Sequence, residues 1–270
     1  MEKLCVHTIT TKPWDFRTAC EQFGKAGVKG ISIWQDAIAG IDPQEVRQLV
    51  ADNGLEVVSY VRGGFFPASS EEKRQQAIAH NQQMIAEAAA IGAPMLVLVC
   101  GAEPGQSLEV SRQQIQTGIE ACLPTAEAHQ VQLTIEPLHP MYAAARSAIN
   151  TLGQANDLAE AIDSPWVGIA LDVYHLWWDP NLQTEIQRCG ANGNLSAYHI
   201  CDWNVPTLDL LTDRGLMGEG CIPVRQITDW VRAAGFAGYE EVEIFSSHYW
   251  RMDQQEWLDR IVKSYQQLNS

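Results

Sequence analysis

Val167–Pro180 reads VGIALDVYHLWWDP, and this stretch decides the fold. From Val167 to Val173 it is a nearly continuous apolar, β-branched-rich run, the pattern of a strand buried on both faces of a parallel sheet. Asp172 sits near its end. A carboxylate in such surroundings must be solvated, paired or bound to a cation, because burying it alone costs several kcal/mol. His175 follows three residues on, where the strand is expected to turn into a loop. Three other segments share this grammar. Gln132–Ile135 leads into Glu136, Leu195–Tyr198 leads into His199, and Tyr239–Phe245 carries Glu241 and Glu243.

Working outward, apolar runs alternate with helical stretches along the whole chain. Strands are expected at Leu4–Ile9, Lys29–Trp34, Leu55–Val61, Pro94–Cys100, Val131–Glu136, the Asp172 run, Leu195–Ile200 and Tyr239–Phe245. Helices are expected from about Asp15 to Ala26, after Asp42 with Pro43 at the first helical position, and from Ser70 to Ile91, where Gly92 stops the helix. Further helices fall at Leu108–His129, which Pro124 is expected to kink or break, then Thr151–Ile162, Leu182–Cys189, Pro223–Ala234 and Asp253–Leu268. Arg62–Phe66 and the long, Gly-bearing Asp202–Ile222 read as loops. Repeated β/α units with no low-complexity linker imply parallel strands and right-handed crossovers. Eight of them predict an α/β chain folded as a single (β/α)₈ TIM barrel over residues 1–270. A doubly wound open sheet would carry a Gly-rich phosphate loop after its first strand, where this chain has TTKPWDF.

Composition narrows the partners. The 270 residues carry a formal net charge of −15 with no basic stripe, which argues against nucleic acid. No segment approaches the roughly 18 consecutive apolar residues of a membrane span. MEKLCVHTIT lacks the pattern of a secretory signal, and the seven cysteines form no CxxC pair, so a reducing cytoplasm is the expected setting.

In a barrel the C-terminal strand ends meet at one mouth, so Glu136, Asp172, His199 and Glu243 project toward a shared centre. For any one of them alone, a backbone or arginine partner is explanation enough; four on consecutive strands point to a common purpose. Three carboxylates together repel, and a single divalent cation resolves the repulsion. Such a donor set suits Mn²⁺ best, with Mg²⁺, Co²⁺ or Zn²⁺ also accommodated. Glu241 and Glu243 face the same way, and Glu243 is preferred because it lies nearer the strand's C-terminal end. His7 and Trp34, closing the first two strands, are expected to line the pocket, the indole as an apolar wall, with plain packing as the alternative for Trp34. Arg146, in the loop after Glu136, suits a carboxylate or phosphate, or an ordinary surface ion pair.

IEPLHP (135–140), LDVYHL (171–176), HICDW (199–203), GEGCIP (218–223) and EVEIFS (241–246) together resemble the xylose-isomerase-like superfamily of sugar isomerases and epimerases. The resemblance covers the second half in order and spacing, and the first half only in its rhythm of strands and helices. Its ketose 3-epimerase branch implies one metal ion held by Glu136, Asp172, His199 and Glu243. The two glutamates would double as acid and base on opposite faces of the substrate, with His175 on substrate oxygens. The branch's arginine after the seventh strand has its nearest counterpart in Arg214, because HICDWN differs there. The implied activity is isomerisation or epimerisation of a small keto sugar, polyol or related acid, by proton transfer through a metal-held enediolate. The same scaffold also supports a lyase, of the inosose dehydratase or keto-glycoside eliminase kind. An endonuclease of this fold would need more His/Asp/Glu ligands and a basic surface; a non-catalytic sugar-binding barrel would have lost a ligand. Related barrels often pair, so a homo-oligomer is compatible with the resemblance.

Overall fold

A computed structural model describes residues 1–270. Eight parallel strands form a closed barrel: β1 (Leu4–His7), β2 (Gly30–Trp34), β3 (Glu56–Gly64), β4 (Met95–Val99), β5 (Gln132–Glu136), β6 (Val167–Asp172), β7 (Leu195–Ile200) and β8 (Glu240–Val242). Each pairs with the next, and β8 returns to β1 with Leu4 opposite Glu240 and Val6 opposite Val242. The chain is thus a single (β/α)₈ TIM barrel. Its helices are α1 (Phe16–Ala26), α2 (Pro43–Asp52), α3 (Glu71–Ile91), α4 (Leu108–His129), α5 (Leu152–Ile162), the one-turn α6 (Val173–Leu176), α7 (Leu182–Ala191), α8 (Val224–Ala233) and α9 (Gln254–Leu268). Side chains of Asp15, Asp42, Ser70, Ser107, Thr151 and Asp253 cap six of them by accepting first-turn N–H groups. Each such cap is worth about 1 kcal/mol.

Strand alternation sorts the barrel into two environments. Val6, Ile31, Ile33, Leu96, Leu98, Leu133, Ile135, Ile169, Leu171, Ile200 and Val242 belong to the core shared with the helices. The intervening residues face the barrel axis. Val61, Val97, Ala170 and Ala197 form a small apolar plug there. The next inward positions toward the mouth on β5, β6 and β7 are Glu136, Asp172 and His199, so the site rests on a packed floor rather than an open pore.

Several boundaries differ from the sequence expectation for visible reasons. β1 ends at His7, and Thr8–Thr11 forms a 3₁₀ turn. β8 ends at Val242 rather than Phe245, because the Thr10 hydroxyl takes over the ladder, donating to Val242 O and accepting from Ile244 N, both at 3.0 Å. β3 runs on through the expected loop to Gly64, whose N–H and C=O are both held by the Asn81 side chain at 2.6 and 2.8 Å. At Gly64 φ is +101°, and an added Cβ would lie 2.0 Å from Val99 O, so only glycine closes the two strands here. Pro124 neither breaks nor ends α4. His175 lies in α6, which the Asp172 carboxylate starts by accepting Tyr174 N–H at 2.8 Å, rather than in a loop. The expected loop Asp202–Ile222 contains a short antiparallel ribbon, Asp202–Trp203 against Arg214–Gly215. Asp202 laces it by accepting from Gly218 and Ile222 N–H groups at 2.9 Å each. No helix is long and apolar enough to cross a membrane.

Candidate functional site

Glu136, Asp172, His199 and Glu243 meet at the mouth, each offering a ligand atom within 4.8 Å of the others. All four are buried, none more than 5 % exposed. His199 Nδ1 is 3.1 Å from Glu136 Oε1 and 3.9 Å from Glu243 Oε2. Three carboxylates and an imidazole nitrogen at this spacing fit a hard or borderline divalent cation.

Arg214 also reaches this centre. From the ribbon it places Nη1 at 2.8 Å from Asp172 Oδ2 and 3.0 Å from Glu243 Oε2. Nη2 donates to His175 Nε2 at 3.2 Å, which puts the histidine proton on Nδ1, where it has no partner. Burial, reinforced by the Arg214 charge, drives the His175 pKa well below normal, so the ring is neutral. His175 Nε2 lies 3.7 Å from Asp172 Oδ2, beside the four clustered donors rather than among them.

The electrostatics follow from one guanidinium shared by two acids. Burial raises the Asp172 pKa, and Arg214 only partly offsets it. Burial opposes ionisation of Glu243 too, but His7, Arg214 and His199 together hold its carboxyl well below the usual range. For His199, burial works against the charge, yet Glu241, Glu136 and Glu243 raise its pKa to about 10.

Beneath this cluster lies a second polar layer. Glu241 Oε2 accepts from Ser32 Oγ at 2.6 Å and Ser59 Oγ at 3.3 Å, and pairs with His7 Nε2 at 3.1 Å. It lies 3.8 Å from His199 Nε2, a buried nitrogen with no hydrogen-bond partner. Glu241 therefore faces the far side of the His199 ring, the usual place of a carboxylate that orients a ligating imidazole. His7 links the layers, with Nδ1 3.1 Å from Glu243 Oε1 and 3.3 Å from the Trp34 indole nitrogen. Trp34 packs edge-on to Phe245 at 5.1 Å.

The residues named from sequence thus converge: the four clustered donors, His175, Arg214, His7 and Trp34. His139 is half-buried against Trp178 and Trp203, while His248 is exposed. Ser32, Ser59 and Arg62 escaped the sequence reading. The serines belong to apolar strands whose inward register sequence alone leaves open, and Arg62 falls in what reads as a loop. A groove of about 790 Å³ between α8 and α9 holds none of these residues.

Comparison with known proteins agrees with this architecture. An inosose isomerase from Halalkalibacterium halodurans is 23% identical over 217 residues, covering 78% of this chain and 74% of that protein. The crystal structure of protein SMc04130 from Sinorhizobium meliloti 1021 superposes with a TM-score of 0.95 at 45% identity, covering 99% of this chain and 98% of that one. The IOLI protein, solved with a bound zinc atom, shares the fold with a TM-score of 0.86 at 19% identity, covering 98% and 97%. The family model described as xylose isomerase-like TIM barrel matches residues 20–263, nearly the whole barrel, and the chain belongs to that family.

Proposed function

We propose that the protein is a divalent-cation-dependent isomerase or epimerase of a small keto sugar or cyclic keto polyol. The observation that carries this reading is the convergence of Glu136, Asp172, His199 and Glu243 within 4.8 Å at the mouth of the barrel. A cation held by these four, Mn²⁺ by preference and Mg²⁺, Co²⁺ or Zn²⁺ as alternatives, supplies Lewis acidity that polarises the substrate carbonyl and acidifies the neighbouring C–H. The zinc atom in the IOLI protein supports a divalent ion.

The chain's own residues do the rest. Glu136 enters from β5 and Glu243 from beyond β8, so a substrate lying over the mouth is flanked by one carboxylate on each side. One glutamate takes the proton beside the carbonyl and leaves an enediolate. Return of a proton by the other, on the opposite face, inverts that carbon; return at the adjacent carbon isomerises. Glu243 is held ionised, the protonation state a base requires. Neutral His175, whose Nε2 faces the cluster, and Arg214 bind substrate oxygens, and Trp34 and His7 wall the pocket. Similarity to an inosose isomerase favours isomerisation over the elimination of a lyase. All seven cysteines are free, which supports a cytoplasmic setting.

The test is ¹H NMR of keto sugars and inososes in D₂O with the Mn²⁺-loaded protein. Solvent deuterium at the carbon beside the carbonyl, with an isomeric product, is expected. Loss of water or of a glycosyl group would identify a lyase, and absence of exchange from every substrate would refute the proposal.

A further inference from the structure

Two arginines at the mouth have no protein partner. Arg74, Arg112, Arg188, Arg214 and Arg260 each donate to a carboxylate or carbonyl group. The remaining two that are not solvent-exposed, Arg62 and Arg146, make no hydrogen bond or ion pair; each guanidinium lies against aromatic rings. In a chain of net charge −15, with carboxylates abundant, two unpaired and half-buried cations invite a ligand.

Their placement beside the site is built by the backbone. Phe65 and Phe66 N–H groups donate to Val99 and Cys100 carbonyls at 2.8 and 3.1 Å, tying the end of β3 to the end of β4. From the other side, Gly101 N–H donates to Arg146 O at 2.9 Å, and Ala148 N–H to Gly101 O at 2.9 Å. Arg62 and Arg146 therefore flank the end of β4, which carries no polar side chain. Arg62 lies 4.7 Å from the Phe65 ring and 5.9 Å from that of Trp34, whose indole nitrogen contacts His7. Arg146 lies 5.4 Å from the Tyr142 ring, which meets the His175 ring at 5.9 Å. Each arginine is thus one aromatic ring away from a histidine of the site. They also feel one another: burial first, and then the Arg146 charge, lower the Arg62 pKa, against the opposing pull of Glu136 and Asp36. Aromatic backing holds the guanidinium groups in place while leaving their N–H forks free.

We infer that Arg62 and Arg146 form an anion subsite, so that the substrate is a keto sugar or keto polyol bearing a terminal carboxylate or phosphate. The inference rests on the isomerase or epimerase reading for its reaction, but not for its binding. The reacting end of the substrate lies over Glu136 and Glu243, and its charged end lies between the two arginines beyond β4.

The test compares a keto sugar with its terminal phosphate and its terminal carboxylate, using deuterium incorporation by the Mn²⁺-loaded full chain. The expected result is a kcat/KM at least about tenfold higher for one charged form than for the neutral one, as suits hydrogen bonds to a charged group. Whichever form wins identifies phosphate or carboxylate. In Arg62→Gln and Arg146→Gln, checked for folding by melting temperature, that ratio should fall toward one through KM. A wild-type preference for the neutral sugar, or a ratio untouched by both substitutions, would overturn the inference. Should no substrate exchange at all, the isomerase reading fails separately. Titration with inorganic phosphate and with malonate by calorimetry then decides the subsite: binding weakened about tenfold in both variants supports it, and no binding, or equal binding in all three proteins, overturns it.

Discussion

Replacing Arg214 with Met tests how the buried acids at the mouth are balanced. Arg214 Nη1 is shared between Asp172 at 2.8 Å and Glu243 at 3.0 Å, and all three residues are almost fully buried. Removing one partner of a buried ion pair strands the other, at about 3–5 kcal/mol. For a chain of this size that lowers Tm by about 6–10 °C, at roughly 2 °C per kcal/mol. The scan is run at pH 8 in EDTA, where the acids cannot cheaply take up protons instead. Adding Mn²⁺ to both proteins at one concentration, about a thousandfold above the wild-type Kd, contributes about 4 kcal/mol to the folded wild type. In the variant the ion meets uncompensated carboxylates, whereas in the wild type it must first move the guanidinium aside. Mn²⁺ should therefore raise Tm more in Arg214→Met than in the wild type. A variant melting within about 2 °C of the wild type in EDTA, or equal Mn²⁺ gains in both, would refute this account.

Glu136→Gln and Glu243→Gln should each lose well over the ~10² expected for a general acid or base, since each residue is also proposed as a ligand; retained turnover with metal bound would remove that glutamate from the mechanism. His175→Ala should lower turnover while leaving Mn²⁺ affinity in place, whereas His199→Ala should weaken Mn²⁺ binding itself; equal loss of metal in both would reverse the assignment. Because the His199 pKa is raised to about 10 and a ligating imidazole must be unprotonated, Mn²⁺ binding at pH 8 should release about one proton. Affinity should accordingly rise with pH up to that value. Calorimetry in buffers of different ionisation enthalpy reads the proton count, and zero release would refute a protonated His199 that gives up its proton to the ion.

Much of this was legible in the sequence, for physical reasons. A strand covered on both faces needs an unbroken apolar run, so a lone acid or histidine at its end stands out, as Asp172 and His199 do. Boundaries were less legible where a side chain stands in for backbone. Nothing in a linear reading of β8 reveals that Thr10 occupies its ladder, or that Asn81 holds Arg62–Gly64 in a strand. The choice of Glu243 over Glu241 followed from position alone, and the structure places them in separate layers. The sequence offers Arg214 only as a nearest candidate, because its reach depends on a ribbon laced by Asp202, a long-range arrangement with no local periodicity. The absence of partners for Arg62 and Arg146 is likewise invisible until every neighbour is in place.

The seam between β1 and β8 joins the two ends of the chain, with Leu4–Val6 against residues 240–242 and the Thr10 hydroxyl bridging Val242 to Ile244. Glu243 is the last of the four donors in sequence and lies one residue past that ladder. During synthesis the first strand must wait for the last, and an incoming ion finds only Glu136, Asp172 and His199 until the ring shuts. A cation held by all four donors, as proposed, would therefore work as a clasp. The share of its binding energy that depends on Glu243 would go to the closed ring alone, and a chain that stops short of the final strand, or opens along the seam, would forfeit that share.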